Sequence, residues 1–321
     1  MRYRNWTWVT MKYKFESGVR AVALLCSLFS PLPLPADDLS SACRPLEIAD
    51  TETPLQMAYG EGLLWEIQRE GVPPSYLFGT IHVSDPEITN LPEAVSNQLN
   101  HAGRFVMEAL PDPDQVMQLT GMMFLAEGRQ LGELIAPALF TRTVEILAGY
   151  QIPLEVASII KPWAAFMVMN YPPGNALMMD LKMLYLAQEN GIAVAGLETL
   201  QEQGKIFDEL ALATQLRLLT DTVCHYDRLQ EDFGLMKSLY SKRDLQGLYE
   251  LSRRYKLSEE AEYQELMKKL LTDRNITMAE RMQPFLKEGN AFIAIGAMHL
   301  AGAGGVLSLL EQQGYAIKLI Y

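Results

Sequence analysis

A chain of 321 residues is long enough for one to three domains, and 49% hydrophobic against 21% charged residues supplies ample material for a core. Wholesale disorder and a fibrous repeat are excluded. Lys and Arg number 27 against 39 Asp and Glu, a formal charge of −12, so general binding of nucleic acid, which needs cations facing phosphates, is not expected.

The first twenty positions hold Arg2, Arg4, Lys12, Lys14 and Arg20 against the single acid Glu16. The apolar run AVALLCSLFSPLPL (Ala21–Leu34) follows, and Pro35-Ala36 precedes Asp37-Asp38. Basic, apolar and small-residue regions in this order predict a signal peptide over residues 1–36, started at Met1 or Met11, and a periplasmic or secreted mature chain. The apolar run is too short and too rich in Pro to span a bilayer as a helix, and no later stretch reaches spanning length without charges. Cys26 leaves with the signal. Cys43 and Cys224 remain, as one disulfide in an oxidising compartment or as two separate buried thiols. A bond would tether the mature N-terminus to a helical region across a loop of about 180 residues.

In chain order, Leu63–Gln68, a turn at Gly71–Pro74 and Ser75–Phe78 read as a hairpin. The second strand runs out into Gly79-Thr80-Ile81-His82. Asn90 with Glu93 suggests a capping box, and Pro92 an early helical position, for a helix to about Asn100. A strand at Arg104–Met107 ends at Glu108. The pattern is then helical and Met-rich to about Glu189, interrupted at Pro153, Pro162 and Pro172-Pro173. A strand at Ala193–Gly196 ends at Leu197-Glu198-Thr199. Amphipathic helices fill Gln201–Lys287. Last come a strand Ala291–Ile295, the turn Gly296-Ala297-Met298-His299, a Gly-rich link, a helix Val306–Gln313 and a strand Ala316–Ile320.

The alternation predicts an α/β fold: a mixed central sheet with flanking helices, and large helical insertions at about 112–190 and 201–287 within one domain over 37–321. YLFG-x-x-H (76–82) and FIAIG-x-x-H (292–299) resemble each other, which suggests two related halves.

The chemistry falls at strand ends. His82, Glu108, Glu198 and His299 each follow an apolar strand by zero to four residues, and open α/β sheets bind ligands beyond the carboxyl ends of their strands. The Gly before each His lets the chain leave the strand sharply and lets a ligand approach the backbone. Two imidazoles with one or two carboxylates suit a divalent cation such as zinc, manganese or cobalt and leave a position for water. Taken singly, each residue also has a structural reading: a strand-end His as a hydrogen-bonded residue, and the glutamates as helix caps or ion-pair partners. His101 and His225 sit in helical, polar contexts and read as solvated.

Together the segments LFGTIHVSDP (77–86), FVMEAL (105–110), KPW (161–163), MDLKMLYLAQENGIAVAGLETLQEQ (179–203), DRN (273–275) and AIGAMHLAGAGGVLSLLEQQGYAIKLI (294–320) resemble the TraB/GumN family, which includes the TIKI metalloproteases. The resemblance spans about Leu63 to the C-terminus. It implies a metal-dependent hydrolytic centre, that of a peptidase, with His82, His299 and Glu108 as metal ligands and Mn, Co or Zn as the metal. By the same resemblance Arg274 is a polar site residue, able to hold a substrate carboxylate or an oxyanion. An ordinary exposed helix with a locally paired Arg is the other reading. Glu198 and Gln203 match the LExxxxQ stretch, and Glu198 could orient a histidine or act as a general base. Lys161, Pro162 and Trp163 read better as a helix start with an aromatic in the core.

Competing chemistries are thinly represented. Gly302-x-Gly304-Gly305 lacks the third glycine of a dinucleotide loop, no phosphate-loop Lys-Ser/Thr occurs, and neither HExxH nor GxSxG is present. Met117, Met122, Met123, Met167, Met169, Met178, Met179 and Met183 cluster in the first insertion, as core filler or as the wall of a peptide cleft. The partner expected is a peptide or small-molecule substrate. Two alternatives stay open: a non-catalytic protein that binds a secreted peptide or haem through His82 or His299, and a metal-free esterase with a His as general base.

Overall fold

The computed structural model describes residues 39–49, 56–174, 177–256 and 260–321. The signal-peptide reading over 1–36 lies outside the described residues. From Asp37 onward the chain is a single compact unit.

Six strands form one mixed sheet: β1 (Leu64–Arg69), β2 (Val72–Thr80), β3 (Arg104–Ala109), β4 (Ala193–Glu198), β5 (Ala291–Gly296) and β6 (Ala316–Leu319). Their order is β4-β3-β5-β2-β1-β6. β4, β3, β5 and β2 run parallel to their neighbours, whereas β1 is antiparallel to both β2 and β6. The last parallel strand to be made, β5, therefore slots between β2 and β3, and its five residues Ala291–Ile295 are all buried. Such continuous apolar runs suit parallel strands covered on both faces.

The hairpin turn is tighter than the sequence suggests. β2 starts at Val72 and includes Pro73 and Pro74. Two prolines without N–H donors are tolerated there because β2 meets β5 only from Tyr76 on, and its register with β1 shifts between Ile67 and Arg69. The expected capping box at Asn90 does not form. Asn90 instead ends a short helix, Pro86–Thr89, capped by the Asp85 side chain on Glu87 N–H, and the helix Glu93–Asn100 starts on Pro92 without a side-chain cap.

Between β3 and β4 the prolines open helices more than they interrupt them. Pro113, Pro137 and Pro162 sit in the first turns of Pro113–Met122, Pro137–Gly149 and Pro162–Met169, where the missing N–H has no helical partner to lose. The insertions pack around a second apolar core, with Trp163 fully buried and stacked on Phe207 at 6.1 Å, while Met179 and Met183 join the core of the sheet. Lys161 Nζ and Trp163 Nε1 both donate to Asp208 Oδ1, at 2.6 and 2.8 Å, so the KPW segment is a structural clasp. Cys43 and Cys224 form a disulfide across 181 residues, tying the first described segment to the helix Leu212–Cys224. No helix among the described residues is long and apolar enough to cross a membrane.

Candidate active site

All four strand-end residues meet at one edge of the sheet, because β2, β3, β4 and β5 are parallel and finish together. Glu108 and Glu198 belong to the last turns of β3 and β4 themselves, and Ala109 pairs with Glu198. Beyond Glu198 a capping box between Thr199 and Glu202 starts the helix Leu200–Asp208 at once and brings Gln203 back over the strand end. His82 lies in the coil after β2, and His299 closes a single 3-10 turn after β5.

Both motif glycines answer a close approach. Neither has a positive φ. A Cβ on Gly79 would lie 2.6 Å from Leu300 Cδ1 and 3.2 Å from Ala297, so β2 packs directly on the turn that carries His299. A Cβ on Gly296 would lie 3.0 Å from Glu108 Oε1, and the Gly296 N–H donates to that oxygen at 2.5 Å.

Each histidine has its Nδ1 occupied. The His82 Nδ1 lies 3.0 Å from Asp180 Oδ2, and the Thr80 hydroxyl donates to Asp180 Oδ1 at 2.6 Å. The His299 Nδ1 lies 2.6 Å from Asn275 Oδ1, whose own Nδ2 donates to Gly304 O at 2.8 Å. An acceptor at each position assigns a proton to Nδ1 and fixes the ring, as a partner does for a ligating imidazole.

Glu108 Oε2 accepts from Arg274 Nη2 at 2.7 Å and from Gln203 Nε2 at 3.4 Å, while Oε1 lies 3.6 Å from His299 Nε2. Glu198 directs its oxygens to Arg274 Nε and Nη2 and to Gln203 Nε2, not to a histidine. Arg274 stands 3.2 Å from His299 Nε2 through Nη1, which also donates to Leu270 O. Its guanidinium is thus a multiply bonded cation on a side chain 14% exposed, not the locally paired Arg of an exposed helix.

The electrostatics follow. Burial alone would raise the Glu108 carboxyl, but His299, Arg274, His82 and the Gly296 N–H outweigh it and hold it at about 2. Burial pushes His299 down to about 4, with Arg274 and His82 adding to the effect against Glu108. Burial also works against a charge on His82, yet Asp180 and then Glu108 prevail and lift it to about 9. The carboxylates hold the Arg274 guanidinium above its usual range.

Several residues that shape the site were not singled out from sequence. Asp180 orients His82, Asn275 orients His299, and the Tyr171 ring stands edge-on to His82 at 5.7 Å. A signal existed for Asp180: one carboxylate among Met178, Met179 and Leu181 in a largely apolar helical turn. Elsewhere His101 is exposed as expected, whereas His225 is half-buried and its Nε2 is buried without a hydrogen-bond partner among the described residues.

The donor types, two imidazoles and a carboxylate at His82, His299 and Glu108, are those that hold Mn, Co or Zn, with His82 giving up the proton that Asp180 favours before it ligates. Among the described residues no three His, Cys, Asp or Glu side chains form a group able to hold an ion.

The sequence is 22% identical to Metalloprotease TIKI2 of Danio rerio over 361 residues, which cover 94% of this chain and 68% of that one. It is 23% identical to Metalloprotease TIKI2 of Xenopus tropicalis, covering 79% and 59%, and 22% identical to Metalloprotease TIKI1 of Danio rerio, covering 79% and 62%. The matches thus span about three-fifths to two-thirds of the relatives' own lengths. No solved structure matches. Residues 63–319, from the first strand to the last, match the TraB/PrgY/gumN family, and the chain belongs to that family.

Proposed function

We propose that this chain is an exported, metal-dependent hydrolase acting on peptides, with His82, His299 and Glu108 as the residues that would hold a divalent cation. The observation that carries the reading is the matched pair of oriented imidazoles. Each Nδ1 is held by an acceptor, Asp180 or Asn275, so that Nε2 is the nitrogen each ring can present to a ligand. The relatives' printed name, metalloprotease, agrees with it. When bound, the cation supplies Lewis acidity that ionises water near neutral pH.

The chain's own residues do the rest. Asp180 and Asn275 hold the imidazoles in one tautomer and one orientation. Against burial, His299, Arg274, His82 and the Gly296 N–H keep the Glu108 carboxylate ionised, and Gln203 Nε2 donates to it. Glu198 acts through Arg274 and Gln203 as a positioning residue. The Cys43–Cys224 bond supports export, because such bonds persist in oxidising compartments.

Metal content and cleavage of a mixed peptide library decide the matter, measured on the purified chain and on His82→Ala and His299→Ala. Both variants are expected to lose metal and cleavage together. Unchanged metal occupancy in both would overturn the metal site, and bound metal without cleavage of any peptide would overturn the peptidase assignment.

A further inference from the structure

The guanidinium of Arg274 stands among the proposed ligands. Its Nη2 bridges Glu108 Oε2 at 2.7 Å and Glu198 Oε2 at 2.8 Å, and its Nη1 faces His299 Nε2 at 3.2 Å. Guanidinium nitrogens only donate, so Nη1 occupies the one lone pair that His299 has to offer a cation. Nη2 likewise takes an oxygen of Glu108. Two of the three proposed donors are therefore engaged by an internal cation. A divalent ion placed on the same donors would meet like charge at contact distance.

The surroundings provide a route out. Lys268–Asp273, immediately before Arg274, is a π-helix, a rare over-wide turn that recurs at functional sites. Arg274 also lines a cavity of about 250 Å³ whose walls carry Glu198, Glu202 and Asp273 beside Lys269 and Arg281. A guanidinium turned into that space keeps Glu198 as its partner and releases Glu108 and His299.

We infer that Arg274 is an exchangeable cation: it neutralises Glu108 and holds His299 while no metal is bound, and withdraws towards that cavity, keeping Glu198, when a divalent cation takes its place. Metal binding and the Arg274–Glu108 contact are then mutually exclusive, and Arg274 lowers the affinity of the site for metal. This inference rests on the metal reading above.

Titration of the metal-stripped chain with Mn²⁺, followed by calorimetry, tests it on Arg274→Met, Arg274→Lys and Arg281→Met. Arg281 bonds Glu202 and Leu197 O, stands in the wall of the same cavity and touches none of the proposed ligands, so it controls for the loss of a nearby positive charge. Arg274→Met is expected to bind Mn²⁺ at least ten-fold tighter than the parent, and Arg281→Met to change by less than three-fold. Should Arg274→Met fail to fold, Arg274→Lys keeps the charge, yet its single ammonium cannot span Glu108, Glu198 and His299 together. A tightening of at least three-fold is expected for it. Parent-like or weaker binding in the folded Arg274 variants, or equal tightening in Arg281→Met, overturns the exchange while leaving the metal reading intact. No Mn²⁺ binding by parent or variants overturns both.

Discussion

The two Gly-x-x-His segments share a sequence pattern and one edge of the sheet, yet they place their histidines in opposite surroundings. The His82 side chain keeps 42% of its surface open beside a carboxylate, whereas that of His299 keeps 6% beside a carboxamide. Asp180 stabilises an imidazolium at His82; burial next to Arg274 forbids one at His299. A repeated motif thus fixes where an imidazole leaves the sheet, and its packing partners fix the charge it carries.

Truncation should separate the two histidines most widely. His299→Ala removes a buried ring and orphans the Asn275 amide, for a loss of about 2–4 kcal/mol in urea unfolding. His82→Ala removes a half-open ring and should cost less than about 1 kcal/mol. Equal losses would break the contrast between the two segments.

The pH dependence of the metal-free chain sharpens it further. His299 has a depressed pKa, so its stabilisation is complete above its ordinary 6.5 and is lost as pH falls towards about 4. Glu108 adds a loss between its ordinary 4.5 and about 2. His82 is raised, so its stabilisation is complete below 6.5 and is lost as pH climbs through about 9, by a smaller amount because water screens the open ring. Urea midpoints should therefore peak between these limits. In Asp180→Asn the alkaline fall should vanish and the acid fall persist; an unchanged alkaline limb would show that Asp180 does not set the charge on His82.

Reduction of the disulfide should touch the two histidines least. The bond closes a loop of 181 residues, for which chain entropy allows roughly 4–5 kcal/mol. Reduction is expected to lower the melting temperature while both imidazole titrations, followed by NMR, stay where they are. A moved titration would mean that the bond reaches the site.

How much of this was legible in the sequence follows from distance along the chain. Glu108 and Glu198 announce themselves because each ends an apolar run, and the histidines because Gly breaks the strand just before them. The partners do not: Asp180 is 98 residues from His82, and Asn275 is 24 from His299, across elements whose packing no local pattern encodes. The Asn90 capping box misled for a related reason. Asp85 and Pro86 start a short helix that reaches Thr89 and leaves Asn90 as its end.

The sequence by itself determined the strands, the helical insertions and the positions of the four polar strand ends, because short apolar runs bounded by glycine and proline are local features with local energetics. Only the tertiary structure decided that β5 lies between β2 and β3, that the pairs closing around the histidines are Asp180 and Asn275, and that Arg274 sits against Glu108. Those choices set tautomer and charge. A protonation state is fixed by the charges and solvent within a few ångströms, and folding draws them from the whole chain.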